Sequence, residues 1–269
     1  MADTLAFHAQ KHPLRIIQLT DLHLCAMPGD ILNTGIDTDA TLQRVLDELR
    51  QHHRHADLLV VTGDLAQDPV AAVYERLNAV LGTAGIPTYC LPGNHDDAAL
   101  MDDVLRDSKV NTARIVTRGD WLLVLLDSVD PADPQGGRLD AEELVMLDEV
   151  LSRHPARNAL VCLHHPPVAI GSAWMDRIGL ANAEALFAVL DKYPQVRGVV
   201  FGHIHQDFET ERNGVRLLGT PATCVQFTPG TETLFVDSLP PAWRWLDLHA
   251  DGRIETGVDY LEESIRRLA

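Results

Sequence analysis

Up to Gly202 the chain alternates short apolar runs with longer amphipathic segments, and this alternation limits its fold more tightly than any other feature. Runs of strand length lie at 15–20, 57–63, 87–93, 121–128, 158–163 and 196–202. Between them, residues 38–53 place Leu42, Val45, Leu46 and Leu49 at i, i+3, i+4 and i+7, which is one face of a helix. Segments 69–85, 139–154 and 182–193 also read as helices. The run at 121–128 is almost continuously apolar, as expected of a strand covered on both faces. After Gly202 the texture changes. Asn213-Gly214 and Asp251-Gly252 each sit between two runs and read as turns of antiparallel hairpins. The expectation is an α/β fold of mixed sheets with helices outside and antiparallel hairpins at the C-terminal end. No linker interrupts the chain, so residues 1–269 read as one domain, with 1–13 as an N-terminal tail.

Composition narrows the function classes. The formal net charge is -17 and the pI about 5.0, which argues against gripping a nucleic-acid polymer by its phosphates. A small phosphate ester stays open, because a local metal centre can reverse the field. Cys25, Cys90, Cys162 and Cys224 form no C-x-x-C pair and read as small buried thiols. The first 15 residues lack the apolar core of a signal peptide, and no run nears the length of a membrane span. The expected location is the cytoplasm, without a membrane partner.

The chemistry lies at the ends of the apolar runs. Five of them finish in Asp21 with His23, in Asp64, in Asn94 with His95, in His164, and in His203 with His205. Glycine stands directly before Asp64, Asn94 and His203. In an extended chain i and i+2 share a face, so His203 and His205 point the same way. Open α/β sheets bind ligands outside the carboxyl ends of their strands. Five such ends side by side would gather seven oxygen and nitrogen donors. Taken singly, each of these residues is as well explained by capping or turn formation. The set is not.

No thiolate is among the donors, which excludes a structural zinc knuckle. Imidazole mixed with carboxylate and amide oxygen suits iron, manganese or zinc. Seven donors are too many for one tetrahedral ion, but they suit two ions that share a carboxylate and clamp a phosphoryl group. Two divalent ions less the charges of Asp21 and Asp64 leave the site positive, and the neutral Asn94 preserves that excess.

D-x-H (21–23), G-D (63–64), G-N-H-D (93–96), H (164) and G-H-x-H (202–205), in this order, resemble the calcineurin-like metallophosphoesterases. The resemblance implies a β-sandwich of two mixed sheets flanked by helices. It implies one metal on Asp21, His23, Asp64 and His205, and a second on Asp64, Asn94, His164 and His203, with Asp64 bridging. His95 would face the phosphate as an acid or hydrogen-bond donor, and His23, Asp64, Asn94, His95, His164 and His205 would surround the substrate. Stretches 163–176, 213–227 and 243–256 look like those of bacterial 3',5'-cyclic-AMP phosphodiesterases, the class III cyclic nucleotide phosphodiesterases. Glycerophosphodiesterase relatives carry a similar H-H-P-P stretch.

The implied reaction opens 3',5'-cyclic AMP to 5'-AMP by attack of a metal-bridging hydroxide, with two ions of iron (Fe2+/Fe3+) or manganese, or else zinc. The implied partner is a small cyclic nucleotide, bound by a monomer or homodimer. The rivals are a glycerophosphodiesterase or broad phosphodiesterase on the same centre and, more remotely, a metal-binding scaffold without catalysis. His165 reads as a hydrogen-bond donor that supports a ligand. His52, His53 and His55 read as a solvated helix C-terminus. Trp174, Met175 and Phe227 either line a base pocket or belong to the core.

Overall fold

A computed structural model describes residues 12–32, 34–106 and 108–261 of the protein; of the tail expected at 1–13, all but the last two residues lie outside the described residues. The strands are β1 (Leu14–Leu19), β2 (Leu58–Thr62), β3 (Thr88–Leu91), β4 (Val110–Asn111), β5 (Ile115–Arg118), β6 (Trp121–Leu125), β7 (Val129–Asp130), β8 (Asp133–Gly137), β9 (Asn158–Leu163), β10 (Val196–Phe201), β11 (Phe208–Arg212), β12 (Val215–Gly219), β13 (Ala242–Leu248) and β14 (Ile254–Tyr260). The helices are α1 (Thr38–His52), α2 (Ala71–Gly82), α3 (Ala98–Leu105), α4 (Ala141–Arg153) and α5 (Ala183–Leu190).

Two six-stranded mixed sheets result. The first runs β14-β13-β1-β2-β3-β4 and the second β11-β12-β10-β9-β6-β5. Strands β1 to β4 are parallel, with β13 antiparallel on the free side of β1. In the second sheet β6, β9, β10 and β12 are parallel, and β5 and β11 close its edges antiparallel.

The packing explains the unbroken apolar runs. One residue of each pair faces the other sheet, and the next faces a helix layer. Ile16, Leu58, Val60, Leu123, Leu125, Leu160 and Val200 form the core between the sheets. Their neighbours Ile17, Leu59 and Val61 pack against Leu42, Leu46 and Leu49 of α1 and Leu77 of α2. On the far side, Leu122, Val124 and Val161 meet Leu147 and Leu151 of α4 and Leu186 of α5. A register slip of one residue would exchange inter-sheet and helix-facing sets, so the packing pins the register. Asp37, Asp97 and Asp140 cap the first turns of α1, α3 and α4 through hydrogen bonds to backbone N–H groups.

The late hairpins form as expected. Arg212 pairs with Val215 across a two-residue turn in which Asn213 and Gly214 both take positive φ, 52° and 80°. The second hairpin differs in detail. Leu248 pairs with Ile254, so Gly252 (φ 90°) lies in a five-residue loop rather than a tight turn. The helical segments are shorter than periodicity suggests at 69–85 and 182–193, because α2 begins only after Pro69 and Val70, and α5 ends at Leu190. Cys90, Cys162 and Cys224 are buried, whereas Cys25 is half-buried in the loop after β1. His53 is not solvated: it is buried, lies edge-on to Trp243 and bonds the Asp259 carboxylate of β14 at 2.8 Å. His52 and His55 are exposed. Among the described residues no helix is long and apolar enough to cross a membrane.

Candidate metal centre

All seven expected donors and His95 meet at one seam, where the carboxyl ends of β1, β2 and β3 in the first sheet face those of β9 and β10 in the second. The backbone bends sharply to put them there. Asp21, His23, Asp64, His203 and His205 have φ between 47° and 68°, and only Leu32 and Asn213 share that feature among described non-glycine residues. Left-handed backbone at such residues costs on the order of 1 kcal/mol each and tends to persist at functional sites. The glycines before the donors keep the seam closed. A Cβ on Gly202 would lie 1.9 Å from Thr20 Oγ1, and one on Gly63 2.4 Å from His164 Nδ1.

Each carboxylate is gripped on one oxygen and left open on the other. The His95 backbone N–H donates to Asp64 Oδ1 at 2.9 Å. The His203 N–H (3.0 Å) and the Thr20 hydroxyl (2.7 Å) donate to Asp21 Oδ2. Asp64 Oδ2 then lies 3.3 Å from His164 Nε2 and 3.5 Å from His23 Nε2. Asp21 Oδ1 lies 3.3 Å from His205 Nε2, buried and without a hydrogen bond.

The imidazoles are oriented by oxygen atoms behind them. His164 Nδ1 donates to the Thr62 carbonyl at 2.8 Å, His205 Nδ1 to the Val225 carbonyl at 2.6 Å, and His23 Nδ1 to Gln67 Oε1 at 3.0 Å. A proton held on Nδ1 leaves Nε2 as the atom that faces the carboxylates, which is how a ligating histidine is usually set. His203 is turned the other way, with Nδ1 3.2 Å from His164 Nε2. Asn94 presents Oδ1 to His164 Nε2 at 3.3 Å, and its amide nitrogen donates to the Pro134 carbonyl at 3.3 Å.

Lone pairs and anionic oxygens therefore converge with few protons between them, an arrangement that a pair of cations would satisfy. The titration behaviour agrees. Burial opposes ionisation of Asp21, but His205 and His164 outweigh it and hold the carboxyl at about 2. Asp64 is held well below the usual carboxylate range against the same burial, chiefly by His164. His164 overcomes its burial through Asp64 and rises to about 9. Burial pushes His23 down to about 4 and His203 well below the ordinary imidazole value. Without metal, His164 is thus an imidazolium set across the seam from two carboxylates.

His95 is half-buried at the mouth of the seam, edge-on to His23 with ring centroids 4.8 Å apart. His165 is fully buried, and its ring nitrogen bonds to Ser128 Oγ at 2.8 Å. Its contact with His164 and His203 is ring packing at 4.9 and 4.8 Å rather than a hydrogen bond. Burial, helped by His164, pushes its pKa down to about 3. Asp96, the last residue of the G-N-H-D stretch, accepts from the N–H groups of Gly93, Leu65 and Ala66 and from the Tyr74 hydroxyl, tying the loops after β2 and β3 together. Gln67, Thr20 and Thr62 thus join the site without any periodicity or spacing that would single them out, whereas Asp96 was marked by the G-N-H-D stretch but not for this role. Trp174, Met175 and Phe227 all line the cavity of about 500 Å³ that opens above the donors.

The model of the calcineurin-like phosphoesterase family matches residues 14–207. A 3',5'-cyclic-nucleotide phosphodiesterase of Nostoc sp. is 41% identical, covering 95% of this chain and 96% of its own length. The 3',5'-cyclic adenosine monophosphate phosphodiesterase CpdA of Escherichia coli K12 is 40% identical over 93% of this chain and 91% of its own. Among solved structures, a dimetal phosphatase from Danio rerio superposes with a TM-score of 0.67 at 16% identity, covering 92% of this chain and 99% of that one, a likeness of fold. By its family model, its relatives and its two-sheet architecture, the chain belongs to the calcineurin-like phosphoesterase family.

Proposed function

We propose that the protein hydrolyses 3',5'-cyclic AMP to 5'-AMP at a dinuclear metal centre. Family membership implies such a centre, and the convergence of donors on both sides of Asp64 is the observation that carries the reading. Relatives 36–41% identical over most of this chain are named cyclic nucleotide or cyclic AMP phosphodiesterases. One ion would be held by Asp21, His23, Asp64 and His205, and the other by Asp64, Asn94, His164 and His203. The donors are nitrogen and oxygen without sulfur, which fits iron or manganese. When bound, the ions acidify a water and screen the phosphate charge.

The chain's own groups do the rest. Gln67 and the carbonyls of Thr62 and Val225 keep three imidazoles in the ligating tautomer. Pro134 O holds the Asn94 amide so that its oxygen faces the centre. With two carboxylates against two divalent cations, the site stays cationic within a chain of net charge -17, and it attracts an anionic diester. His95 stands edge-on to His23 at the cavity mouth, where its ring can hydrogen-bond a phosphoryl oxygen or protonate the 3' oxygen as its bond to phosphorus breaks. Water supplies the oxygen gained by phosphorus, and its proton ends on the 3' hydroxyl.

The test is a turnover panel on metal-stripped protein reloaded with Mn2+. It compares 3',5'-cyclic AMP, 2',3'-cyclic AMP, a glycerophosphodiester and bis(4-nitrophenyl) phosphate. The highest kcat/KM among the natural diesters is expected for 3',5'-cyclic AMP. A higher value for the glycerophosphodiester would replace the reading with the glycerophosphodiesterase one, and a fully loaded but inert protein would leave only a scaffold.

A further inference from the structure

The cavity above the donors has two unlike ends. Its floor is polar, with His23, Asp64, Asn94, His95, His203 and His205. Its far wall is apolar, with Ile31, Leu32, Trp174, Ile178, Phe227 and Leu234. Metal and phosphate chemistry uses the floor and leaves the wall without a role.

The wall has the marks of a built surface. Leu32 and Leu234 are 53% and 43% exposed, yet they come from separate loops and converge on one cavity. Isolated exposed leucines are ordinary, whereas two that flank a cavity mark a binding surface. Leu32 is also held at φ 54°, a conformation unfavourable for a bulky residue. An aromatic ladder joins wall to floor. Phe227 stacks on the ligand His205 with centroids 4.1 Å apart and planes 15° apart, and Trp174 stands edge-on to Phe227 at 5.4 Å.

Among the described residues that line the cavity, groups free to read a base edge are scarce. The Trp174 indole N–H is committed to Thr231 Oγ1 at 3.3 Å, Gln67 to His23, and the Asn94 amide to Pro134 and His164. Gln135 is the exception. It is exposed on β8, lines the cavity, and its side-chain amide makes no hydrogen bond to another described residue. An amide can turn over and offer either a donor or an acceptor, so it selects neither purine edge.

Resting on the cyclic-nucleotide reading above, we propose that this wall is the base slot, and that it holds a purine by stacking and burial without discriminating adenine from guanine. Apolar pockets distinguish close analogues by roughly 10–200-fold, whereas sites built on complementary hydrogen bonds reach about 10⁴–10⁵. The expected ratio of kcat/KM for cyclic AMP over cyclic GMP is therefore below about 200.

The test measures competitive inhibition by AMP, GMP and inorganic phosphate, with bis(4-nitrophenyl) phosphate as reporter, in wild type, Trp174→Ala and the surface variant Leu234→Asn. Loss of an aromatic platform should raise the Ki of AMP and GMP together, by about 5- to 150-fold for Trp174→Ala. Leu234→Asn should raise both by a few-fold, since a half-exposed leucine has less area to lose. The Ki of phosphate, which needs only the floor, should stay constant in both. A phosphate Ki that rises with that of AMP would make Trp174 a support for His205 and overturn the slot. Unchanged AMP affinity in both variants, or a wild-type preference between the two cyclic nucleotides above about 10³, would also overturn it. A wild type that fails on cyclic AMP yet binds AMP through Trp174 and Leu234 would defeat the proposed reaction and keep the slot.

Discussion

The two sheets contribute opposite chemistry to the seam. The first brings both carboxylates, Asp21 and Asp64, together with Asn94, His23 and His95. The second brings His164, His203 and His205 and no acid. Each acid then finds its closest imidazole on the opposite sheet, Asp64 with His164 and Asp21 with His205, both at 3.3 Å. A site divided in this way is incomplete on either sheet alone. Whatever binds both sets also clips the sandwich together at that end, so metal occupancy and the relation between sheets are coupled.

The largest effect is expected where the two halves share an atom. Asp64→Ala should lose both ions and abolish turnover, whereas His205→Ala should retain measurable occupancy of the second site. Metal analysis that finds two equivalents in Asp64→Ala would break the comparison at its centre. His95 separates the reaction from the binding of metal. His95→Ala should keep both ions and lose kcat on cyclic AMP by roughly 10²–10⁴. The loss should be smaller on bis(4-nitrophenyl) phosphate, whose leaving group needs little proton assistance. Equal losses on the two substrates would deny His95 a role at the leaving oxygen.

Asn94 tests the balance of charge within the first sheet. Asn94→Asp should hold metal as well or better, yet lower kcat/KM by roughly 10-fold, because the added anion weakens the field on the phosphate. If loading is complete and kcat/KM unchanged, Asn94 only shapes the turn after Gly93.

The smallest effect concerns protons. In the metal-free protein His164, raised to about 9 beside Asp64, is charged at neutral pH, while His23 at about 4 is already neutral. Metal must displace the His164 proton, so loading near pH 7.5 should release it, and apparent affinity should climb as pH rises toward 9. Calorimetry in buffers of different ionisation enthalpy would count it. His164→Asn should abolish the release. The same shifts set the pH dependence of metal-free stability. His164 stabilises fully below about pH 6.5, and its contribution fades as pH rises through 9. His23 acts in the opposite sense and destabilises as pH falls from 6.5 toward 4.

Much of this was legible in the chain, and the reason is locality. A strand's period, a helix stripe, Asn213-Gly214, and an Asp or His directly after an apolar run are all properties of neighbouring residues. They marked ten of the fourteen described strands, four of the five described helices, the two late hairpins and the residues that meet at the seam, because each is decided within a few peptide units, whereas α3, β4 and β5 went unmarked. Tertiary structure decided the rest. His53 is written in the same helix end as His52 and His55, yet only His53 meets Trp243 and Asp259, which lie about two hundred residues away in sequence. His165 sits beside His164 in the chain, yet it bonds Ser128. The short hairpin of β7 and β8, which carries Pro134 to Asn94, has no alternating apolar pattern to announce it. The atom by which each imidazole faces the seam is set by a carbonyl or amide on another strand or loop, as Thr62, Val225 and Gln67 show. Backbone carbonyls are the same in every residue type, so sequence cannot mark which of them will receive a histidine proton. Only the packing of the two sheets brings them within reach.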